Sequence, residues 1–197
     1  MVQLRSMEWV LCTGNPGKVA ELRALLPAGI ELKGLSDVDM PLDLPETGET
    51  LEANALQKAL YVHERTGLTC LADDTGLEVN ALNGAPGVRS ARYAGEAKDP
   101  VLNMQRLLTE MEGQADRGAR FRTVIAVVSD GTHQFFEGVV NGNITNAPRG
   151  TQGFGYDPVF CPDGGTETFA EMTLANKNRI SHRARAVQAL LDHLRQG

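Results

Sequence analysis

Two adjacent aspartates, Asp73 and Asp74, follow an apolar run from Leu68 to Ala72. Carboxylates crowded at the end of buried β-structure are costly unless a cation or a proton lies between them. Hard oxygen donors at such a spot suit Mg²⁺, which keeps several waters and sits on substrate phosphates. Read alone, the same residues also make a turn, with Asp74-Thr75-Gly76 supplying its chemistry. Thr13-Gly14-Asn15-Pro16-Gly17-Lys18 stands between another apolar run and a helical pattern. Its glycines let backbone approach a ligand, the helix start favours anions, and Lys18 adds a full positive charge. The Gly14 to Lys18 spacing is too short for a Walker A loop. The plain alternative is a strand-to-helix turn with a solvated lysine.

Three further groups carry polar chemistry. Glu46-Thr47-Gly48 precedes Glu49, Glu52, Asn54 and Lys58. Asn54 and Lys58 are four apart, hence on one helical face, and could reach a phosphate or form a solvated face. Gly153-Phe154-Gly155-Tyr156-Asp157-Pro158 places an aromatic between permissive glycines, where a base could stack or a core ring could turn a corner. Lys177 with Ser181, His182 and Arg183 gathers donors at the predicted start of the last helix, where a helix dipole prefers acids; that inversion points to function. His63, His133 and His193 fall in no chemical pattern.

The elements that must position these groups follow from periodicity. Glu8 to Thr13 and Ile30 to Leu35 read as strands, with a helix between them carrying Val19, Leu22, Leu25 and Leu26 and ending at Pro27. Thr50 caps a helix through Ala55, Leu56, Ala59 and Leu60 that stops near Gly67. Asp99-Pro100 opens a helix to about Glu112, with Leu102, Leu107 and Met111 inward. Phe121 to Ser129 and Gln134 to Ile144 flank Asp130-Gly131, a hairpin signal. Ser181 to Arg195 closes as a helix burying Ala184, Val187, Leu190, Leu191 and Leu194. Alternating strands and helices followed by a hairpin predict an α/β domain with a mixed sheet, bent into two lobes around a cleft.

The chain has 197 residues, enough for one large domain (1–197) without disulfide or metal staples. Met7 is a second possible start, so residues 1–6 read as an N-terminal extension. A net charge of −6 disfavours nucleic acid and anionic membranes as partners. No stretch approaches the ~20 apolar residues of a membrane span, and the start lacks an apolar signal core. These features predict a cytoplasmic protein. Cys12, Cys70 and Cys161 are odd in number and widely spaced, and are expected to be reduced.

Taken together, TGNPGK (Thr13–Lys18), ETG (Glu46–Gly48), ENA, ADDTGL (Ala72–Leu77), GAPGVRSARYAG, GFGYDP (Gly153–Pro158) and ISHR (Ile180–Arg183) resemble the Ham1/RdgB family of inosine/xanthosine triphosphate pyrophosphatases. The blocks occur in the family's order over nearly all of the chain from Trp9. The resemblance implies an elongated, mixed-sheet α/β fold of two lobes with a central cleft. It also implies a homodimer and Mg²⁺-dependent hydrolysis of ITP, dITP and XTP to the monophosphate and pyrophosphate, cleansing the nucleotide pool. By resemblance, Thr13, Gly14, Asn15, Pro16, Gly17 and Lys18 hold the triphosphate, assisted by Lys58. Glu46 and Asp74 engage the metal with Asp73 beside them, and Asp74 is the base that activates water. Thr75 stands where the family commonly has serine and contacts substrate. Phe154, Gly155, Tyr156, Asp157, Lys177, His182 and Arg183 form the base pocket. Pro45 and Asn176 depart from the family pattern, each replacing a frequent acidic residue. A pyrophosphatase for pyrimidine or modified nucleotides, and a nucleotide sensor without turnover, are the competing readings.

Overall fold

The computed structural model describes residues 7–27 and 29–196, and the side chains of these from residue 8 onward. The predicted extension, residues 1–6, lies outside the described residues. Three of the helix starts are written in their caps. Helix α1 (Pro16–Leu25) begins with Asn15, whose Oδ1 accepts from the amides of Gly17 and Lys18 at 2.9 and 3.2 Å, and with proline at its first position. Thr50 accepts from the Ala53 amide at 3.1 Å to open α2 (Leu51–Thr66), which ends on Gly67 at φ +69°. Asp99 caps α3 (Pro100–Glu110) through the amides of Val101 and Leu102.

The strands are β1 (Met7–Leu11), β2 (Ile30–Lys33), β3 (Thr69–Val79), β4 (Pro86–Gly87), β5 (Gly118–Ser129), β6 (Thr132–Ile144) and β7 (Phe160–Pro162). Their order is β2-β1-β3-β5-β6-β7, with β4 on β3. β1 pairs in parallel with both β2 and β3, whereas β3–β4 and β6–β7 are antiparallel, so the sheet is mixed as expected. Asp130-Gly131, both at positive φ, makes the two-residue turn between β5 and β6.

The chain divides into two compact units. The first comprises Met1–Asp74, Val124–Glu137 and Ala186–Gly197; the second comprises Thr75–Thr123 and Gly138–Arg185. In the first unit, strand alternation sends side chains to two separate cores. Val10, Cys12, Cys70, Ala72, Ala126 and Val128 meet Ala55, Ala59 and Val62 of α2. Trp9, Leu11, Leu71 and Ile125 meet Leu22 of α1 and Ala186, Val187 and Leu190 of α5 (His182–Leu194). The second unit has one core, including Leu77, Leu107, Met111, Phe121, Tyr156, Phe160 and Phe169. All three cysteines are free thiols, as expected. Among the described residues, no helix is long and apolar enough to cross a membrane.

Several expectations are corrected. Asp73-Asp74-Thr75-Gly76 is not a turn but the middle of β3. Leu102 faces solvent at 49% exposure, while Leu107 and Met111 of the same predicted face are buried. A separate helix α4 (Leu174–Ile180), capped by Thr173, precedes the last one. Ser181 then ends α4 and caps α5 through the Ala184 amide. Lys177 therefore sits in the last turn of α4, where the dipole favours a cation, and not at the start of the final helix. In α5, Val187 and Leu190 are buried, Ala184 and Leu191 are half-buried, and Leu194 is exposed.

Candidate active site

In the first unit, an acid–lysine cluster forms at the middle of β3. Consecutive strand residues point to opposite faces, so Asp73 and Asp74 are not crowded against each other as their adjacency suggested. Asp73 is fully buried, with its Oδ2 3.2 Å from Lys18 Nζ at the start of α1. Asp74 turns to the side carrying α2. Its Oδ2 accepts from Asn54 Nδ2 at 3.1 Å, and its Oδ1 lies 3.9 Å from Lys58 Nζ. Lys58 is itself buried and donates to Glu46 Oε1 at 2.6 Å and to the Asp73 carbonyl at 2.7 Å. The solvated-face alternative for Asn54 and Lys58 fails because both are at least 95% buried. Lys18, for which a solvated side chain was the plain alternative, also approaches the Asp73 carbonyl at 3.4 Å.

The electrostatics follow from this burial. Burial pushes the Asp74 carboxyl above its ordinary range, and the nearby ammonium groups of Lys58 and Lys18 only partly oppose that. Burial also works to lower Lys58, but the charges of Asp74, Glu46 and Asp73 outweigh it and hold Lys58 above its ordinary value. Lys58 is thus a fixed cation, and Asp74 is a carboxylate of raised basicity with one oxygen held by a neutral amide. That combination suits a proton acceptor.

The Thr13–Lys18 loop enters α1 with Thr13, Gly14 and Asn15 at or near the surface. Asn15 spends its Oδ1 on the Gly17 and Lys18 amides, so two of the helix-start donors are already engaged. The Asn15 amide in turn donates to Thr13 Oγ1 at 3.2 Å. Gly14 is required by a close approach: a Cβ there would lie 2.3 Å from the Leu42 carbonyl oxygen.

Among the described residues, no group of three or more His, Cys, Asp or Glu side chains is gathered to hold a metal ion. The donor chemistry nonetheless fits a hard cation. Glu46 and Asp74 offer carboxylate oxygens that converge on the positive charge of Lys58. An ion that binds mainly substrate phosphates needs only one or two protein carboxylates.

The second unit holds the other predicted residues. Asp157 organises the Gly153–Pro158 loop: its Oδ2 accepts from the Phe154 amide at 2.8 Å and from Lys177 Nζ at 2.6 Å, a pair that is almost wholly buried. Gly153, at φ +73°, has no space for a side chain, since a Cβ would fall 2.1 Å from that same oxygen. The half-buried Phe154 ring has Lys177 Nζ 5.0 Å and the Arg183 guanidinium 5.7 Å from its centroid. Arg183 is 1% exposed, and its Nη2 donates to Thr75 Oγ1 at 3.1 Å. Thr75 also shares a 2.7 Å hydrogen bond with Thr123, a residue that nothing in the sequence singled out. His182 stacks on Phe121 with centroids 4.5 Å apart. Tyr156 packs in the core and donates its hydroxyl to the Ser90 carbonyl, so it anchors the loop from within. Gly155, at φ +63°, completes the bend.

The predicted residues therefore form two sets. Lys18, Glu46, Lys58, Asp73 and Asp74 meet in the first unit; Thr75, Phe154, Asp157, Lys177 and Arg183 meet in the second, with His182 stacked in the second unit's core. Asn54, read from sequence only as a possible phosphate contact, proves to touch Asp74; its four-residue spacing from Lys58 was the available signal.

The two sets lie on a mixed α/β fold: a buried lysine-bridged carboxylate cluster in one unit and a glycine-bounded aromatic loop in the other. The pattern that defines the Ham1 family matches residues 9–193, and the chain belongs to that family. It is 48% identical over 188 residues to a dITP/XTP pyrophosphatase of Flavobacterium johnsoniae, covering 95% of this chain and 98% of that protein. It is 51% identical over 186 residues to a dITP/XTP pyrophosphatase of Porphyromonas gingivalis, covering 94% and 96% of the two. The structure of a HAM1 protein from Coxiella burnetii superposes with a TM-score of 0.88 at 39% identity, covering 97% of this chain and all of that one.

Proposed function

We propose that this chain hydrolyses non-standard purine nucleoside triphosphates (ITP, dITP and XTP) to the monophosphate and pyrophosphate. The observation that carries the reading is Asp74. It is a buried carboxylate of raised basicity, hydrogen-bonded by Asn54 and facing Lys58, in a chain about half identical to dITP/XTP pyrophosphatases. Asp74 takes the proton from the water that attacks the α-phosphorus. Lys18 and Lys58 supply fixed positive charge for the phosphates, and the Thr13–Gly17 loop leads into the start of α1, whose dipole favours anions. Glu46 and Asp74 would hold Mg²⁺, which would supply further neutralisation of phosphate charge, whereas Asp73 is turned to the other face of β3 and engaged by Lys18.

The second set serves the base. Phe154 offers a ring for stacking, with Lys177 and Asp157 fixing its loop. Arg183 has only donors, and His182 can donate from a ring nitrogen, so both favour an oxygen at C6 over the amino group of adenine. Tyr156 and Gly155 shape the loop, and Thr75 presents a hydroxyl held by Arg183. The protein acts as a cytoplasmic homodimer that removes deaminated nucleotides before they enter nucleic acid. Steady-state kinetics on ITP, XTP, GTP and ATP test the reading. A kcat/KM for ITP and XTP at least 10²-fold above that for ATP is expected on the scale of unpaired buried donors. Comparable rates on all four would refute it.

A further inference from the structure

Asn54 has two partners, and together they leave its amide one orientation. The Gly48 amide donates to Asn54 Oδ1 at 2.7 Å. A backbone N–H can face only the oxygen of the side chain, so the NH₂ group must point the other way. It points to Asp74 Oδ2, 3.1 Å distant. Asn54 is 2% exposed, on the first turn of α2, which Thr50 caps. The contact with Gly48 is close enough to demand glycine: a Cβ at residue 48 would lie 2.6 Å from Ala53 Cβ and 3.0 Å from Asn54 Oδ1. Glu46, two residues earlier, is bonded to Lys58 one turn further along α2. One side chain therefore ties the Glu46–Gly48 segment to the carboxylate of Asp74.

The residue type matters as much as the place. An amide offers an oxygen to the Gly48 N–H and a donor to Asp74 at once, and its hold on Oδ2 leaves Oδ1 as the other face of the group.

We propose that Asn54 is the positioning residue for Asp74: through the Gly48 amide it locks the orientation of the carboxylate that accepts the proton, and so governs kcat. The proposal rests on the reading of Asp74 as the base of a nucleoside triphosphate pyrophosphatase.

Two variants separate this role from a purely structural tie. Asn54→Asp keeps an oxygen for the Gly48 amide but removes the donor to Asp74. Asn54→Leu removes both. Both are compared with wild type for kcat and KM on ITP at saturating MgCl₂, beside urea midpoints. Asn54→Asp is expected to fold, to keep KM within about threefold, and to lose at least ~10-fold in kcat, the scale of a catalytic group held slightly out of place. Asn54→Leu is expected to lose kcat comparably or more. An Asn54→Asp enzyme with near-native kcat, alongside an impaired Asn54→Leu, would overturn the proposal in favour of a tie to Gly48 alone. Loss of folding in both variants would do the same. A wild-type protein inactive on ITP would overturn both the proposal and the functional reading beneath it. An active wild type with an unaffected Asn54→Asp would overturn the proposal only.

Discussion

Lys58→Met isolates the cost of the buried cation in the first unit. Methionine keeps much of the stem volume and removes the ammonium. In the native chain that ammonium lies 2.6 Å from Glu46 Oε1, 2.7 Å from the Asp73 carbonyl and 3.9 Å from Asp74 Oδ1, on a side chain 5% exposed. Removing it leaves Asp74, and in part Glu46, as buried negative charge without that compensation. Breaking a buried pair from one side costs about 3–5 kcal/mol. For a chain of this size that corresponds to a fall in Tm of ~6–20 °C. The sign of the pH dependence is fixed as well. Lys58 is held above its ordinary value by its carboxylate neighbours, so its contribution is present below the lysine range while they are ionised and is lost as pH rises through its folded value. In the variant, acidification protonates the uncompensated carboxylates, so the gap to wild type narrows as pH falls into the ordinary carboxylate range. Urea unfolding and thermal melts of metal-free protein between pH 4 and pH 8, values chosen to span that range, give the test. A Lys58→Met protein within ~1 kcal/mol of wild type at neutral pH, the range of an exposed pair, would refute the view that this lysine compensates buried charge.

Other expectations follow from single contacts. Asp74→Asn should lower kcat on ITP by at least ~10²-fold, the scale of general-base catalysis. Because burial raises the Asp74 pKa, its ionised form costs stability at neutral pH, so the metal-free variant should melt at or above wild type there. That difference should close once both are acidified below the ordinary carboxylate range, as calorimetry would show. Gly14→Ala forces a Cβ against the Leu42 carbonyl oxygen, and overpacking of ~1–3 kcal/mol should appear as a KM for ITP raised about fivefold or more with the fold retained. Arg183→Lys keeps the charge but loses the planar fork, and should shrink the ITP/ATP ratio of kcat/KM about 10-fold. Phe154→Ala should weaken both nucleotides alike.

The helix starts were legible because caps are local. Thr50 and Asp99-Pro100 each carry the residue that satisfies the first free amides, and the structure bonds each one as its type requires, while Asn15 does the same for α1 without having been read as a cap. The placement of Asp73 and Asp74 was not. Aspartate is depleted in strands, so two in a row followed by Thr75-Gly76 read as a turn. What keeps them in β3 lies far away in sequence: Lys18 on α1 for one, Asn54 and Lys58 on α2 for the other. Strand alternation then separates the pair that adjacency seemed to crowd. Helix α4 was missed for a different reason. Its seven residues, LANKNRI, carry too few apolar positions to show a period, and Thr173 and Ser181 bound it instead. That short helix moves Lys177 from a helix start to a helix end, beside Asp157 and Phe154. Thr123 gave no signal, because a threonine within a β-rich run is ordinary until its hydroxyl is seen against Thr75.

The position of the attacked phosphorus tests the central claim most directly. Wild-type protein is given ITP and Mg²⁺ in ¹⁸O-enriched water, and the products are followed by phosphorus NMR. Attack at the α-phosphorus gives IMP carrying the heavy oxygen, together with unlabelled pyrophosphate. Stepwise IDP and orthophosphate, or label in the pyrophosphate, would contradict the account.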